Sequence, residues 1–270
     1  MIIQLGFVFV IGLFFGSFLN VLADRLPRGE TILGRSKCES CKHELAWNDL
    51  IPIISYILLR GRCRYCKKHF SIQYVFVEIG TAIIFTLTHY FSITHYYIVG
   101  ASVLHLILVS IWIAMLLSDL RYFILPDSLQ GAAFVTAVIH SILIVPSWHF
   151  TLEFVSISTF LLSLSSIPLV AGIIVALPIY LLYIVTKGKG MGFGDVKLAF
   201  VLGVLLGPWQ GLLSLYLASI FGGSVALIFL ALRKAHLKSK IPFGPFLILG
   251  GYIMLFFGPY IIAQYMYIYF

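Results

Sequence analysis

The feature that most restricts this chain is a series of apolar runs, near residues 2–22, 74–91, 98–118, 128–146, 154–186, 196–208, 211–232 and 246–268. A helix rises about 1.5 Å per residue and a bilayer core is about 30 Å thick, so about 20 apolar residues suffice to cross it. Most of the runs reach that length, and none alternates with the polar-in, apolar-out period of a barrel strand. With 61% hydrophobic and 10% charged residues and a mean hydropathy of +1.04, a soluble globular protein is excluded. The expectation is an all-α polytopic membrane protein with about eight transmembrane helices. The first run has no A-x-A-like cleavage site and is expected to remain as a span. The run 154–186 is long enough to tilt or break, with Pro168 and Pro178 as places to kink. The run 196–208 covers only about 20 Å as a helix and reads as a half-helix or re-entrant piece.

A net charge of +8 invites a nucleic-acid reading, and its distribution argues against one. Ten of the 18 Lys and Arg lie in 24–72, which the positive-inside rule makes cytoplasmic. Alternating through eight crossings then puts 119–127, 187–195 and 233–245 on the same side. Those segments and their borders hold the rest: Arg121, Lys187, Lys189, Lys197, Arg233, Lys234, Lys238 and Lys240. The short loops on the other side hold none, so the charges read as an orientation signal for a multi-pass protein in lipid. The chain divides into a first transmembrane helix (1–23), a cytoplasmic insert (24–72) and a multi-helix membrane domain (73–270).

The insert carries Cys38-Glu39-Ser40-Cys41 and Cys63-Arg64-Tyr65-Cys66, a C-x2-C…C-x2-C pattern with 21 residues between the pairs. Each turn presents two thiolates to one metal, and two turns complete a tetrahedron. A reducing cytoplasm makes disulfides the weaker alternative. Four thiolates leave no open coordination position, so the expected Zn2+ is structural. It would fold a basic insert that reads as poor in aliphatic residues between its cysteines. His43 and His69, beside the pairs, could substitute as ligands but read as solvated histidines.

Outside the insert the acidic residues are Glu78, Asp119, Asp127, Glu153 and Asp195. Glu153, on the outer side beside Trp148 and His149, reads as an interfacial surface residue. Asp119 ends one span and Asp195 opens another, so both lie at the cytoplasmic membrane edge on different helices. Two carboxylates brought together in a partly dry site do not both ionise cheaply, and they share a proton. One can then draw a proton from water while the other donates to a carbonyl oxygen, as in an aspartic protease. Asp127 is the rival for the first position, but with Gln130 three residues on it fits a capping box and has a structural use. Asp119 stands at a helix C-terminus, where the macrodipole disfavours negative charge. Before Asp195, Gly190, Gly192 and Gly194 leave the backbone free to take positive φ and let another chain approach. These glycines and Lys197 are candidates to line a substrate cleft. His105 and His140, inside apolar spans, read as hydrogen-bonded packing residues, and the terminal Tyr265–Phe270 stretch as an interfacial aromatic belt.

Taken in order, these pieces resemble the type IV prepilin peptidases, the bifunctional leader peptidase/N-methyltransferases, over nearly the whole length. The resemblance shows in Gly16-Ser17-Phe18-Leu19-Asn20-Val21 followed by Arg25-Leu26-Pro27, and in the paired C-x2-C motifs. It continues in Pro52-Ile53-Ile54-Ser55 leading to Gly61-Arg62-Cys63, and in Asp119 eight residues before the Asp of Leu125-Pro126-Asp127. Gly192-Phe193-Gly194-Asp195-Val196-Lys197 and Pro242-Phe243-Gly244-Pro245-Phe246-Leu247 complete it. It implies that Asp119 and Asp195 are the catalytic dyad of a GxGD-type aspartic endopeptidase in the bacterial inner membrane. The substrate would be a prepilin or pseudopilin, cut on the cytoplasmic face after the glycine that ends a short basic leader. The Pro242–Leu247 motif would line the same cleft.

The resemblance also implies methylation of the new N-terminal amine by S-adenosylmethionine. Here the chain departs from the family, which tends to read Ser-x-Arg-Tyr-Pro-x-x-Glu before the second span. This chain has Ser71-Ile72-Gln73-Tyr74-Val75-Phe76-Val77-Glu78, without the Arg or the Pro. Glu78, about a turn inside the span, is the methyl-transfer candidate, since a charge there serves a site or pairs with a basic residue. An alternative is a peptidase that has lost the methyl transfer. Presenilin-like proteases also use a GxGD segment, but they resemble Tyr-Asp at the first aspartate, where this chain has Ser118-Asp119, and they lack the cysteine insert. An ion-coupled transporter would place its carboxylates near the bilayer midplane in paired halves, which the edge positions of Asp119 and Asp195 oppose. A non-catalytic assembly protein recruiting partners through the insert is the third alternative.

Overall fold

The computed structural model describes residues 1–38, 40–96, 99–144, 167–233 and 241–269. Helices α1 (Ile2–Arg25), α2 (Ile54–Leu58), α3 (Gln73–Tyr96), α4 (Val99–Tyr122), α5 (Asp127–Leu143), α6 (Pro168–Thr186), α7 (Phe193–Ala231) and α8 (Gly244–Tyr269) follow in chain order. Short 3-10 turns cover Leu26–Arg28 and Trp47–Leu50. Among the described residues the only β pairing is two isolated bridges in the insert. Among the described residues six helices are long and apolar enough to cross a membrane: α1, α3, α4, α6, α7 and α8. The chain is an all-helical, multi-span membrane protein, as its apolar runs require.

The helices form two compact units, Met1–Ser118 and Asp119–Phe270. In the first, α1 packs along α3 through glycines that let two backbones approach closely. A methyl group on Gly12 would lie 2.6 Å from the Cα of Ala82, and one on Gly16 would lie 2.7 Å from the Cα of Glu78. Water is absent from lipid, so helices there associate by such close packing and by polar contacts. The polar contacts join α3 to α4. His89 Nδ1 and Ser102 Oγ are 2.6 Å apart, and Ser92 Oγ and His105 Nδ1 are 2.8 Å apart. His105 is thus a hydrogen-bonded packing residue, as its setting suggested.

In the second unit α7 is the organising element, packed against α5, α6 and α8. It is not one rod. Gly207 has φ 78° and ψ 176° and precedes Pro208, a pair that breaks the helical ladder. A methyl group on Gly211 would lie 3.4 Å from the Cα of Gly203. Eight residues along an unbroken helix would separate them by about 12 Å, so the chain doubles back at Gly207. The runs 196–208 and 211–232 are the two arms of this hairpin. Small residues let both arms seat: a methyl on Gly203 would meet Ala171 O of α6 at 2.6 Å, and one on Gly250 of α8 would collide with Ser214 O.

Two expectations need correction. Pro168 does not kink a long span. It occupies the first turn of α6 after the extended N-cap Ile167, where its missing N–H costs nothing, and Pro178 alone lies inside the helix. The rest of the expected run, 154–166, and Glu153 fall outside the described residues. The insert, moreover, is not poor in aliphatic residues: Leu50, Ile51, Ile53, Ile54, Ile57, Leu58 and Leu59 all lie between its cysteine pairs.

Candidate active site

Asp119 lies in the last turn of α4, whose chain leaves through Phe123 in the left-handed region at φ 55°. Asp195 is the third residue of α7, after the extended N-cap Gly192. Both carboxylates are buried, at 6% and 8% exposure, and close enough for the charge of one to act on the other. Each has a backbone donor. The Gly244 N–H donates to Asp119 Oδ2 at 3.0 Å, and the Gly192 N–H donates to Asp195 Oδ2 at 3.1 Å. The helix macrodipole favours negative charge at Asp195 and opposes it at Asp119. The two carboxylates are therefore chemically unequal.

Leu125 is the common neighbour of both sides. A methyl on Gly194 would lie 3.2 Å from Leu125 Cβ. A methyl on Gly244 would lie 3.2 Å from Leu125 Cδ2 and 2.6 Å from Asp119 Oδ2. A side chain at 244 would displace the Asp119 carboxylate, and one at 194 would be tight against Leu125. The positive φ expected of the glycine run falls earlier, at Lys187 (50°) and Gly188 (73°), and Gly192 itself is extended at φ −78°. Gly190 packs on Thr186, its added methyl 3.0 Å from Cγ2.

The capping box expected of Asp127 and Gln130 does not form. The N-cap of α5 is Pro126, with no side-chain cap bond, and a proline has no N–H with which to complete the reciprocal pair. Asp127 instead accepts from Lys197 Nζ at 2.6 Å. Gln130 turns the other way and donates through Nε2 to Gly194 O at 3.2 Å. Its Oε1 is buried and has no partner among the described residues. Beside it opens a cavity of about 490 Å³ lined by Gln130, Phe134, Ala176, Phe193, Val196 and Phe200.

The cysteines form a second centre, in the first unit. Their four Sγ atoms all lie within 4.8 Å of one another, and no two are disulfide-bonded. Cys38 Sγ and Cys66 Sγ are 3.8 Å apart, the edge of a tetrahedron whose metal–sulfur bonds are about 2.3 Å. The two turns repeat one backbone pattern. Cys38 N–H donates to His43 O and Lys42 N–H to Cys38 O; Cys63 N–H donates to Lys68 O and Lys67 N–H to Cys63 O. Burial raises the Cys38 pKa, but the N–H groups of Cys41 and Ser40 outweigh it and hold the thiol down at about 7. The His43 N–H lowers that of Cys41, yet desolvation and the neighbouring sulfurs carry it to about 11. Thiols crowded this way compete to ionise, and a cation relieves the competition. His43 stacks on Tyr65, ring centroids 3.7 Å apart, and the described metal-ligating cluster contains cysteines alone.

Family comparisons agree with this geometry. Residues 10–92 match the bacterial peptidase A24 N-terminal domain, and residues 106–228 match the type IV leader peptidase family. The prepilin leader peptidase/N-methyltransferase of Pseudomonas putida is 33% identical over 94% of this chain and 91% of its own. Those of Stutzerimonas stutzeri and Pseudomonas aeruginosa are both 32% identical over 95% of this chain, covering 92% and 91% of their own. The chain belongs to the type IV leader peptidase family. No solved structure matches it.

Within this family member Glu78 has partners that its sequence did not suggest. No cation meets it. Its Oε2 accepts the Ile53 N–H at 2.9 Å, and the Ser17 side chain hydrogen-bonds to the same carboxylate. The sequence reading also missed Gln130, Leu125 and the Gly244 N–H as neighbours of the aspartates. Only the Pro242–Leu247 motif pointed toward one of them.

Proposed function

We propose that this protein cleaves the short basic leader of type IV prepilins or pseudopilins, after a glycine, with Asp119 and Asp195 as its catalytic pair. The observation that supports the reading is the burial of both carboxylates, on α4 and α7, each with one backbone donor and the charge of Asp119 bearing on Asp195. The names of the relatives, prepilin leader peptidase/N-methyltransferases, supply the substrate class. Asp195, favoured as the anion, draws the proton from an attacking water. Asp119 holds the shared proton and donates it to the scissile carbonyl oxygen. Collapse of the tetrahedral intermediate returns a proton to the leaving amine. Gly190, Gly192, Gly194 and Lys197 line the approach of the extended substrate. The excess of Lys and Arg in the loops on the side of Asp119 and Asp195 supports a site on the cytoplasmic face of the bacterial inner membrane.

We assign Cys38, Cys41, Cys63 and Cys66 to a structural Zn2+, whose bond lengths the sulfur spacing fits. S-adenosylmethionine, when bound, supplies the methyl group for the new N-terminal amine. Glu78 is the candidate within this chain to orient that amine. Its existing bonds to Ile53 and Ser17 favour the alternative of a carboxylate kept for structure in a peptidase without methyl transfer. Purified protein incubated with a full-length prepilin and S-adenosylmethionine tests both, read by mass spectrometry of the product N-terminus. Asp119→Asn and Asp195→Asn should each abolish cleavage with folding and zinc content intact. Cleavage surviving either substitution would overturn the pair, and an unmethylated product from the unaltered protein would leave the peptidase alone.

A further inference from the structure

Residues 47–58 are the part of the insert that the peptidase reading leaves unused, and they are built inside out. Trp47 is 79% exposed, Leu58 76%, Ile57 66% and Ile54 53%. On α2, positions 54, 57 and 58 have the spacing of one helical face, so the apolar stripe points outward. The opposite side is turned inward: Pro52 is buried, and the Tyr56 ring lies where a methyl on Gly61 would stand, 2.9 Å away.

This stripe is held in place at both ends. Asp49 Oδ1 accepts from Arg64 Nε at 2.7 Å, tying the turn of Trp47 to the second cysteine pair. At the other end Ile53 has φ 61° and ψ −50°, and Ile54 N–H donates to Pro52 O at 2.6 Å. This is a γ-turn of the strained hand, rare for a β-branched residue. It aims the Ile53 N–H at Glu78 Oε2, 2.9 Å away. Glu78 is five residues into α3, about 7.5 Å along a spanning helix. The bond therefore hooks the base of α2 to a point below the start of a membrane span. Directly after the stripe come Arg60, Arg62, Lys67 and Lys68, all exposed.

We propose that residues 47–58 lie in the membrane–water interface, with Trp47, Ile54, Ile57 and Leu58 among lipid acyl chains and the basic residues at anionic headgroups. Three features choose lipid as the occupant. The Ile53–Glu78 bond ties the base of the stripe to the first turns of α3, at the edge of a membrane span. An outward-pointing five-residue helix offers no groove to a protein partner. Apolar residues and a tryptophan fringed by arginine and lysine form the composition of interfacial segments. The cysteine insert is then fastened to the bilayer by a surface of its own.

The test uses the full chain in phosphatidylcholine–phosphatidylglycerol vesicles with bromine on the acyl chains, either near the headgroup or near the chain end. The difference between the fluorescence of the unaltered protein and of Trp47→Phe isolates Trp47 from the other three tryptophans. The expected signal is blue-shifted, loses most of its intensity to bromine near the headgroup and little to aqueous iodide. The double substitution Ile57→Asp and Leu58→Asp should restore iodide access to Trp47 while the bound zinc is retained. Should that variant lose its zinc, the bromine measurement on the unaltered protein decides alone. Strong iodide quenching without bromine quenching overturns the proposal. So does bromine quenching that disappears when prepilin is added, since the stripe would then be a substrate surface.

Discussion

The cysteine centre and the aspartate centre solve opposite problems. In the first, every ligand comes from a turn that closes on itself: Cys38 with His43 and Lys42, Cys63 with Lys68 and Lys67. In the second, the carboxylate of Asp119 and the loop that carries Asp195 draw on distant chain. The donor to Asp119 lies 125 positions away, and the amide that braces the loop before Asp195 lies 64 positions from the carbonyl it grips. A centre of local turns asks little of the packing of distant helices. A centre assembled from four segments needs the packing of α4, α5, α7 and α8 to be right before its chemistry can begin.

Metal removal should therefore separate the two most sharply. Structural zinc in small domains contributes on the order of 10 kcal/mol to folding. Chelation, or Cys38→Ser with Cys63→Ser, is expected to unfold 24–72, seen as rapid amide exchange across both turns. The helices of the second unit should keep their protection. Exchange rising equally in α7 would break the distinction between a self-contained centre and an assembled one.

Gly244→Ala is the corresponding stroke against the aspartates. Its methyl would stand 2.6 Å from Asp119 Oδ2, so the carboxylate must move and lose the N–H that holds it. Displacement of a reacting group by about 1 Å costs about a hundredfold in rate. The loss should appear in kcat for prepilin cleavage with the zinc content unchanged. Gln130→Ala comes next, with a loss of about fivefold, since one net hydrogen bond contributes about 1 kcal/mol and the carbonyl of Gly194 would lose its brace. Gln130→Glu would place a carboxylate against that carbonyl and should be worse than alanine.

These two residues mark where the sequence stops being readable. The apolar runs announce the spans, and the cysteine spacing announces its centre, because both are patterns within one stretch of chain. Asp119 and Asp195 stand out because a charge at a membrane boundary is costly without a use. Gln130 carries no such signal. Its local context, Pro126-Asp127-Ser128-Leu129-Gln130, fits a helix cap, and only the packing of α5 on α7 sends its side chain to Gly194 instead. The hairpin at Gly207 was half visible, in a run too short to span. The aliphatic residues of α2 stand plainly between the cysteine pairs, but that they face outward follows only from how Tyr56 packs on Gly61.

The smallest expected effect bears on Lys197, which stands two residues after Asp195 and pairs with Asp127 at 2.6 Å. The Asp127 side chain is 78% exposed, and ion pairs that open to solvent contribute about 0–1 kcal/mol. As a brace alone, Asp127→Asn and Lys197→Ala should therefore each lower cleavage by no more than about fivefold, and by the same amount, since either removes the same bond. If Lys197 also meets the substrate, its removal should raise KM while Asp127→Asn, which frees the ammonium, should not. Equal effects in the two variants would place the pair with the packing that carries α5 against α7. An effect on KM confined to Lys197→Ala would move that residue into the substrate cleft and give α7 a second contribution to a centre that is already assembled from afar.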